Sequence, residues 1–498
     1  MSDSTKKNNA ISDAVREKGN KCFCKKEYFD ALRLYNEALR YAEGDSKQMG
    51  LAYANRSAVF VKTKLYKACL ENIQLAKEHN FPHERLSKLI SRENECKASI
   101  SEPMEEAWND FFKLSYRPNP NFPYLADCLE LKKHERGTFL STKRDLKAGD
   151  IIAITEPIFR IPTGSVYRCN YCLADQFMNL IPCSGCVNVM FCNVMCMKKA
   201  IAEFHQFECG ITDNLSIPKT GSTVLRMIMK CVSICDGSSK QVTELLPRKM
   251  NRLITPFNFQ LNDPLRVSSQ KNLLLSHFSK SQRFDYVDNS HSDKTYSEIQ
   301  PFLRRHPKLQ QIVTSDLFRN CVNLVDCSDM KIFKSVDSRV LSEVNSYAGL
   351  YINFFGGAIE SCYNLFLHSC APTVFLHPYN GKIVWIVLTP IKAGDWLTVA
   401  YQNAFFSEKS REDRKAELPT VLCCCKCVAC AGNWKPLSMA TLAPFSVLSR
   451  SSEDGIIAYK KYCEEMNNKP LDDKCNDTLW YTIGLFRWNL CSIGRATF

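Results

Sequence analysis

The first hundred residues carry a repeating arrangement of small and aromatic positions. Gly19, Ala31 and Ala38 recur as Ser57, Cys69 and Ala76, each displaced by 38 positions, and Tyr28 and Leu32 recur as Tyr66 and Leu70. Spacings of 12 and 7 between small residues suit paired antiparallel helices, because small side chains let the helices approach closely while aromatic rings fill the gap between them. The pattern predicts a helical repeat over residues 10–100, with a third, less regular unit in residues 83–100. Further along the texture changes. HERGTFLSTKRDLKAGDIIAITEPIF reads as short strands around the turn Ala148-Gly149-Asp150, and KIVWIVLTPIKAGDWLTVAYQ repeats that texture around Ala393-Gly394-Asp395. Residues 220–310 read as helices with a polar loop at Ser279–Lys294, and GIIAYKKYCEEM and TLWYTIGLFRWNL bring helical spacing after residue 433. The predicted class is α+β.

Composition narrows the function classes. At 498 residues the chain is long enough for roughly three domains. With 45% hydrophobic and 23% charged residues it reads as soluble globular protein. No apolar run approaches the ~20 residues of a membrane span, so no membrane partner is expected. The net charge of +13 is scattered without a Lys/Arg tract, so no direct nucleic-acid binding is expected either. Residues 1–100 hold 19 Lys+Arg against 13 Asp+Glu, a local excess that suits an acidic partner. The opening MSDSTKKNNAIS lacks the apolar core of a secretory signal. The 26 cysteines are therefore expected in a reducing compartment, the cytoplasm and nucleus, where metal ligation explains clustered thiols better than disulfides do.

Those thiols are ordered. Cys169-x-x-Cys172, Cys183-x-x-Cys186, Cys192-x-x-x-Cys196 and His205-x-x-x-Cys209 are four ligand pairs in about forty residues, enough for two tetrahedral zinc ions. Disulfides or chance clustering would not produce four ordered pairs with one histidine in a ligand slot. Spacing alone leaves open whether the ions take successive or alternate pairs. Downstream, Cys425-x-Cys427-x-x-Cys430 is a further thiolate cluster, with Cys423 and Cys424 as competing ligands.

KGNKCFCKKEYFDALRLYNEAL and LAYANRSAVFVKTKLYKACL resemble tetratricopeptide repeats, and the four-pair array resembles the MYND finger. With the two strand-rich segments, LHSCAPTV at 367–374 and the CxCxxC cluster, the chain resembles the SET-and-MYND family of protein-lysine methyltransferases, in the branch with N-terminal tetratricopeptide repeats. The resemblance implies helical repeats at 10–100, the first part of a SET domain at 124–163, the finger at 169–209, a helical insert at 215–335, the SET core at 336–405, a post-SET zinc cluster at 420–432 and a short helical C-terminal region at 433–498. It implies an interleaved finger, with Cys169, Cys172, Cys192 and Cys196 on one zinc and Cys183, Cys186, His205 and Cys209 on the other. A third zinc would sit on Cys370, Cys425, Cys427 and Cys430. S-adenosylmethionine would lie against His134, Glu135, Arg136, Gly137, Asn345, Leu367, His368, Tyr401 and Cys423, with Tyr401 as the catalytic tyrosine. The implied activity is methyl transfer to lysine on histone or non-histone proteins. Implied partners are a protein substrate with a target lysine and proline-rich peptides at the finger. At the repeats, chaperone C-terminal tails would be held by Arg16, Asn20, Asn55, Lys88 and Arg92, although Asn20 and Asn55 equally suit a role bridging helices.

Several residues depart from the family pattern. Leu367 stands where the family has the asparagine of Asn-His-Ser-Cys, Glu135 replaces the first glycine of a Gly-Arg-Gly turn, Val421 and Cys423 replace channel aromatics, and Ala371 and Thr373 replace an acidic residue and an asparagine. One missing partner for a buried polar group costs about 1 to 3 kcal/mol. The alternative reading that follows is a weak or inactive adaptor of the same fold, recruiting partners through the finger and the repeats.

Overall fold

A computed structural model of the chain describes residues 6–100, 111–120, 124–135, 137–157, 159–162, 168–174, 179–210, 219–234, 289–327, 331–336, 352–359, 363–379, 382–401, 405–406, 409–418, 425–436 and 452–468. Arg136, Asn345, Val421, Cys423, Cys424, the 235–288 part of the expected insert and TLWYTIGLFRWNL lie outside the described residues.

The N-terminal repeats are two antiparallel helix pairs, α1 (Asn9–Cys24) with α2 (Tyr28–Tyr41) and α3 (Lys47–Lys62) with α4 (Tyr66–Glu78). Asn8 caps α1 by accepting from the amides of Ala10 and Ile11, and Ser46 caps α3 by accepting from that of Met49. The small residues of the pattern are the contact points. A Cβ on Gly19 would lie 2.6 Å from the Tyr35 ring, and Ala31, Ala38, Ser57, Cys69 and Ala76 are all buried. The third unit is, over the described residues, a 3-10 turn (His83–Arg85) and one helix, α5 (Leu86–Ser99).

Strands follow. The hairpin β1 (Leu129–His134) with β2 (Gly137–Thr142) leads to β3 (Ile151–Thr155) and β4 (Phe159–Pro162), and the short pair β5 (Ile181–Pro182) with β6 (Met190–Phe191) lies within the cysteine-rich segment. Next come α6 (Val194–Ala200), α7 (Lys219–Ile234), α8 (Asn289–Leu303), α9 (Pro307–Ile312) and α10 (Ser315–Cys327). Then β7 (Lys331–Val336) and β8 (Ile352–Ile359) form a three-stranded sheet with β4 in the order β4-β8-β7. Finally β9 (Leu367–His368) runs parallel to β12 (Thr398–Val399), and β10 (Val374–Tyr379) and β11 (Lys382–Val387) pair with β3 in the order β10-β11-β3. The chain closes through α11 (Arg411–Glu417), α12 (Val428–Ala431) and α13 (Ser452–Asn468).

The two Ala-Gly-Asp turns face each other. Gly149 and Gly394 both sit at φ near +90°, a backbone state that suits glycine. Leu146 and Ile391 exchange amide hydrogen bonds of 2.8 and 3.0 Å, Gly149 N donates to Val387 O at 2.8 Å and Gly394 N to Thr142 O at 2.7 Å. On β11, Trp385 is fully buried, stacked 4.4 Å from Phe366 and donating its indole N–H to Thr155 Oγ1 at 2.9 Å. The α13 helix is fastened to the same layer: Tyr462 donates to Leu388 O at 2.6 Å and Asn467 bonds both backbone groups of Ala148.

Two expectations are corrected. The polar stretch read as a loop to Lys294 is helical from Asn289, because Ser292 and Thr295 are buried on the face that continues into Ile299, Phe302 and Leu303; a polar first turn is ordinary for a helix start. The expected helical insert to 335 ends in strand instead, since β8, later in the chain, supplies a ladder for β7.

The repeats are bolted to the cysteine-rich segment through one buried cation. The guanidinium of Arg56, on α3 and fully buried, donates to Asn72 Oδ1 at 2.6 Å, Asn36 Oδ1 at 2.7 Å, Leu180 O at 2.5 Å and Asn179 Oδ1 at 3.1 Å. Asn179 also accepts from Asn72 at 2.6 Å and donates to Glu71 at 2.6 Å, and Arg40 donates to Val187 O. Removing a group with so many buried partners costs about 3 kcal/mol or more. Arg56→Leu is therefore expected to raise amide hydrogen exchange about 100-fold in α2–α4 and in residues 179–191 together. Unchanged protection in either segment would mean that the two do not stabilise each other.

Candidate functional site

The cysteine-rich segment sets its ligands on four local devices. Cys169 and Cys172 flank a turn that ends at Leu173, φ +65°. Cys183 and Cys186 occupy the bend after β5, Cys192 follows β6, and Cys196 lies in the first turn of α6, where the Asn193 side chain caps its amide. A π-turn over Ile201–His205 swings His205 inward, and Cys209 follows. The ligand atoms of Cys169, Cys172, Cys192 and Cys196 converge within 4.8 Å of one another, as do those of Cys183, Cys186, His205 and Cys209. The pairs thus alternate, the question that spacing left open.

Distances show what the groups fit. Sulfur–sulfur separations are 3.6 Å for Cys172–Cys192, 3.5 Å for Cys192–Cys196 and 3.8 Å for Cys183–Cys209. A tetrahedral zinc with Zn–S bonds of about 2.3 Å sets such separations near ~3.8 Å, whereas a disulfide needs about 2.05 Å. His205 Nε2 lies 3.2 Å from Cys183 Sγ and 3.7 Å from Cys186 Sγ, so the ring nitrogen turned to the thiols is the ligand atom. The hydrogen bond from Cys186 holds the Cys183 thiol well below its ordinary range. Thiolates packed this closely in a protein interior call for a soft dication.

Side chains from the flanking helices hold both groups. Arg226 on α7 grips Glu208, beside Cys209, with two bonds of 2.7 Å, reaches Asn170, beside Cys169, at 3.2 Å and lies over the Phe204 ring. Lys230 pairs with Glu203 at 3.2 Å, which also accepts from Tyr171 at 2.8 Å. Nothing in the sequence pattern singled out Arg56 or Arg226; a lone basic residue in a helix carries no signal until its neighbours are known.

A third group lies in the strand-rich body. Cys370, Cys425, Cys427 and Cys430 converge within 4.8 Å, with Cys370 and Cys430 3.6 Å apart. Beside it, the parallel pairing of β9 with β12 brings Leu367 opposite Thr398 and His368 opposite Val399. His368 Nδ1 accepts from the Tyr401 amide at 3.1 Å, which leaves Nε2, 3.4 Å from Cys370 Sγ, as its N–H. Both ring nitrogens are thus engaged within the protein, so His368 ties the Tyr401 backbone to the thiolate cluster. The half-buried Tyr401 donates its hydroxyl to Phe366 O and packs 5.2 Å from Tyr363, whose own hydroxyl bonds Ala400 O at 2.8 Å. Tyr363 escaped the sequence reading because nothing in its motif marks it.

The other residues expected at the cofactor are more dispersed. Leu367 is half-buried with an apolar side chain, and its amide is committed to Leu397 O at 3.1 Å. His134 packs edge-on against Phe139 and Trp396, and Glu135 is exposed on the β1–β2 turn that Gly137 closes. At the repeats, Asn55 donates to Asn20 at 2.7 Å, and Asn20 also accepts from Tyr35 at 2.9 Å. Arg92 donates to Ala54 O and Ser57 Oγ, Arg16 pairs with Asp13 at 2.8 Å, and Lys88 is exposed. Asn20 on α1 and Asn55 on α3 thus bond each other across the two helices.

Comparison with known proteins agrees with this arrangement. The MYND finger family model matches residues 169–209. The chain is similar to a "Protein-lysine N-methyltransferase SMYD4" of Danio rerio, 26% identical over 249 residues that cover 46% of this chain and 33% of the relative. It is 25% identical over 281 residues to the protein of the same name in Gallus gallus, covering 42% and 38%. A SET and MYND domain-containing protein of Dictyostelium discoideum is 23% identical over 316 residues, covering 58% of this chain and 78% of its own length. These likenesses are to SET-and-MYND proteins, and the MYND finger at residues 169–209 is the part that a family model matches. The paired helices at residues 9–78 precede the finger in the chain. The chain spans little more than a third of the length of the SMYD4 relatives. No helix among the described residues is long and apolar enough to cross a membrane.

The donor sets of the three groups support zinc. Metal analysis of the purified protein is expected to find three ions, and Cys186→Ser to release one of them and unfold the finger while the third group keeps its ion. Acidification is expected to release all three, because protons compete for thiolates. A metal content independent of Cys186 would sink the assignment of the second group.

Proposed function

We propose that the chain transfers a methyl group from S-adenosylmethionine to a lysine side chain of another protein, with Tyr401 at the reacting centre. The observation that supports this most is the junction of β9 and β12, where His368, the Tyr401 hydroxyl and the Phe366 carbonyl meet beside the third thiolate group. That relatives carry the name protein-lysine N-methyltransferase supports the reaction class.

When bound, S-adenosylmethionine supplies an electrophilic methyl on a sulfonium. The residues on hand fit it incompletely: the ring of His368, whose two nitrogens are engaged within the protein, and the hydroxyl oxygen of Tyr401 would meet it, while Leu367 offers no polar side chain. The Tyr401 hydroxyl, already donating to Phe366 O, keeps lone pairs that accept from a lysine amine and orient its nitrogen. Aromatic packing by Tyr363 and Trp385 keeps this corner dry, which favours the neutral amine over ammonium. The missing partner at Leu367 lowers cofactor affinity by about 5- to 150-fold. Zinc at the third group serves a structural purpose by fixing Cys370 two residues from His368.

The second reading is an adaptor of the same fold with little or no activity, and Leu367 and the exposed carboxylate of Glu135 favour it. On that reading the repeats and the finger, joined through Arg56, recruit protein partners, and nuclear or cytoplasmic residence follows from them. Calorimetric titration of S-adenosylmethionine into zinc-loaded protein separates the two. The enzyme reading expects binding tighter than about 100 µM, a gain of about 5- to 150-fold in Leu367→Asn, and loss of methyl transfer in Tyr401→Phe with binding retained. No binding at millimolar cofactor in either the wild type or Leu367→Asn would leave the adaptor.

A further inference from the structure

The third thiolate group has a buried companion that the proposed reaction does not use. Arg414, on α11, is fully buried. Its Nη2 lies 3.8 Å from Cys430 Sγ and its Nη1 donates to Lys409 O at 2.6 Å, while Nε has no hydrogen-bond partner. Among the described residues no carboxylate lies within ion-pair distance of it. The surroundings are apolar: Phe405, Phe406, Leu418, Ala429, Tyr462 and Met466 form the buried cluster around Cys370 and Cys430. An unpaired guanidinium in such a place costs several kcal/mol, so it needs an anion. Four thiolates around one zinc dication carry a net charge of −2, which is equally costly in an apolar interior. Each charge therefore answers the other, and both lie on one contact.

We infer that Arg414 is the counter-cation and positioning residue of the third zinc group. By its bond to Cys430 it holds that sulfur in the ligand orientation and offsets the excess negative charge of the four-thiolate group, which slows departure of the ion. Through Lys409 O it also ties the stretch entering α11 to the cluster, so the ion anchors the segment that follows Tyr401 as well as Cys370 on its near side. The inference rests on the reading that this group holds zinc.

The test uses the full chain and a chelating dye that reports released zinc. In the wild type three equivalents are expected. In Arg414→Met one equivalent is expected to leave about 10- to 100-fold faster, with the two finger ions unchanged as internal controls of folding. Arg414→Lys, which restores the charge, is expected to release that ion several-fold more slowly than Arg414→Met. Equal release in wild type and Arg414→Met overturns the inference, and so do equal rates in Arg414→Lys and Arg414→Met, which would reduce Arg414 to a packing role. Should Arg414→Met disturb the finger ions too, Arg414→Lys against the wild type decides: retention of the third ion supports the charge role, and its loss with the finger ions kept overturns it. A wild type holding only two equivalents would overturn the zinc reading itself, a failure distinct from that of Arg414.

Discussion

Twelve ligand atoms gathered, among the described residues, into three groups of four impose the constraint on which much of this structure depends. Thiols at separations of 3.5 to 3.8 Å inside a protein are stable only when a cation draws them together. The first two groups replace the hydrophobic core that residues 169–209 are too few to build. The third joins strand β9 to the segment after α11. Because ligands come from distant parts of the chain, each ion is also a long-range crosslink, and the fold is organised around where those crosslinks sit.

The cations packed around them follow from the same charge balance. Arg226 grips the acidic and amide neighbours of both finger groups, Arg414 faces Cys430, and Lys7 is half-buried near Cys183, Cys186 and Cys209, with desolvation pushing its pKa down to about 8. Arg56 does a different task with the same chemistry. Its guanidinium satisfies two asparagines of the repeats and two groups at 179–180 at once, so the repeats and the finger share one buried polar network. Such a network is costly when half satisfied and specific when complete. Asn20, Asn55 and Arg92, on α1, α3 and α5, make other contacts within the repeats.

The proposed catalytic corner shows how a motif can keep its frame while its edge changes. His368, Cys370 and Tyr401 are linked by hydrogen bonds that do not need the neighbouring side chain. Leu367 therefore sits in the strand as any residue would, its amide donating to Leu397 O while its side chain offers no polar group. Fold and activity are separable at this position.

Much was legible in the sequence because it depended on local chemistry. The period of 38 and its small residues marked the helix contacts, since Gly19 has no space for a side chain. The ligand pairs named the metal groups because each pair spans a single turn, and the Ala-Gly-Asp turns announced themselves through a backbone state suited to glycine. The tertiary structure alone decided that the finger pairs alternate, that Asn20 and Asn55 bond each other, that helix begins at Asn289 and that residues 331–336 are strand. It alone revealed the roles of Arg56, Arg226 and Arg414. The physical reason is common to all of them: a ladder partner, a shared ion or a buried countercharge comes from elsewhere in the chain, and a residue's own neighbours in sequence carry no record of it.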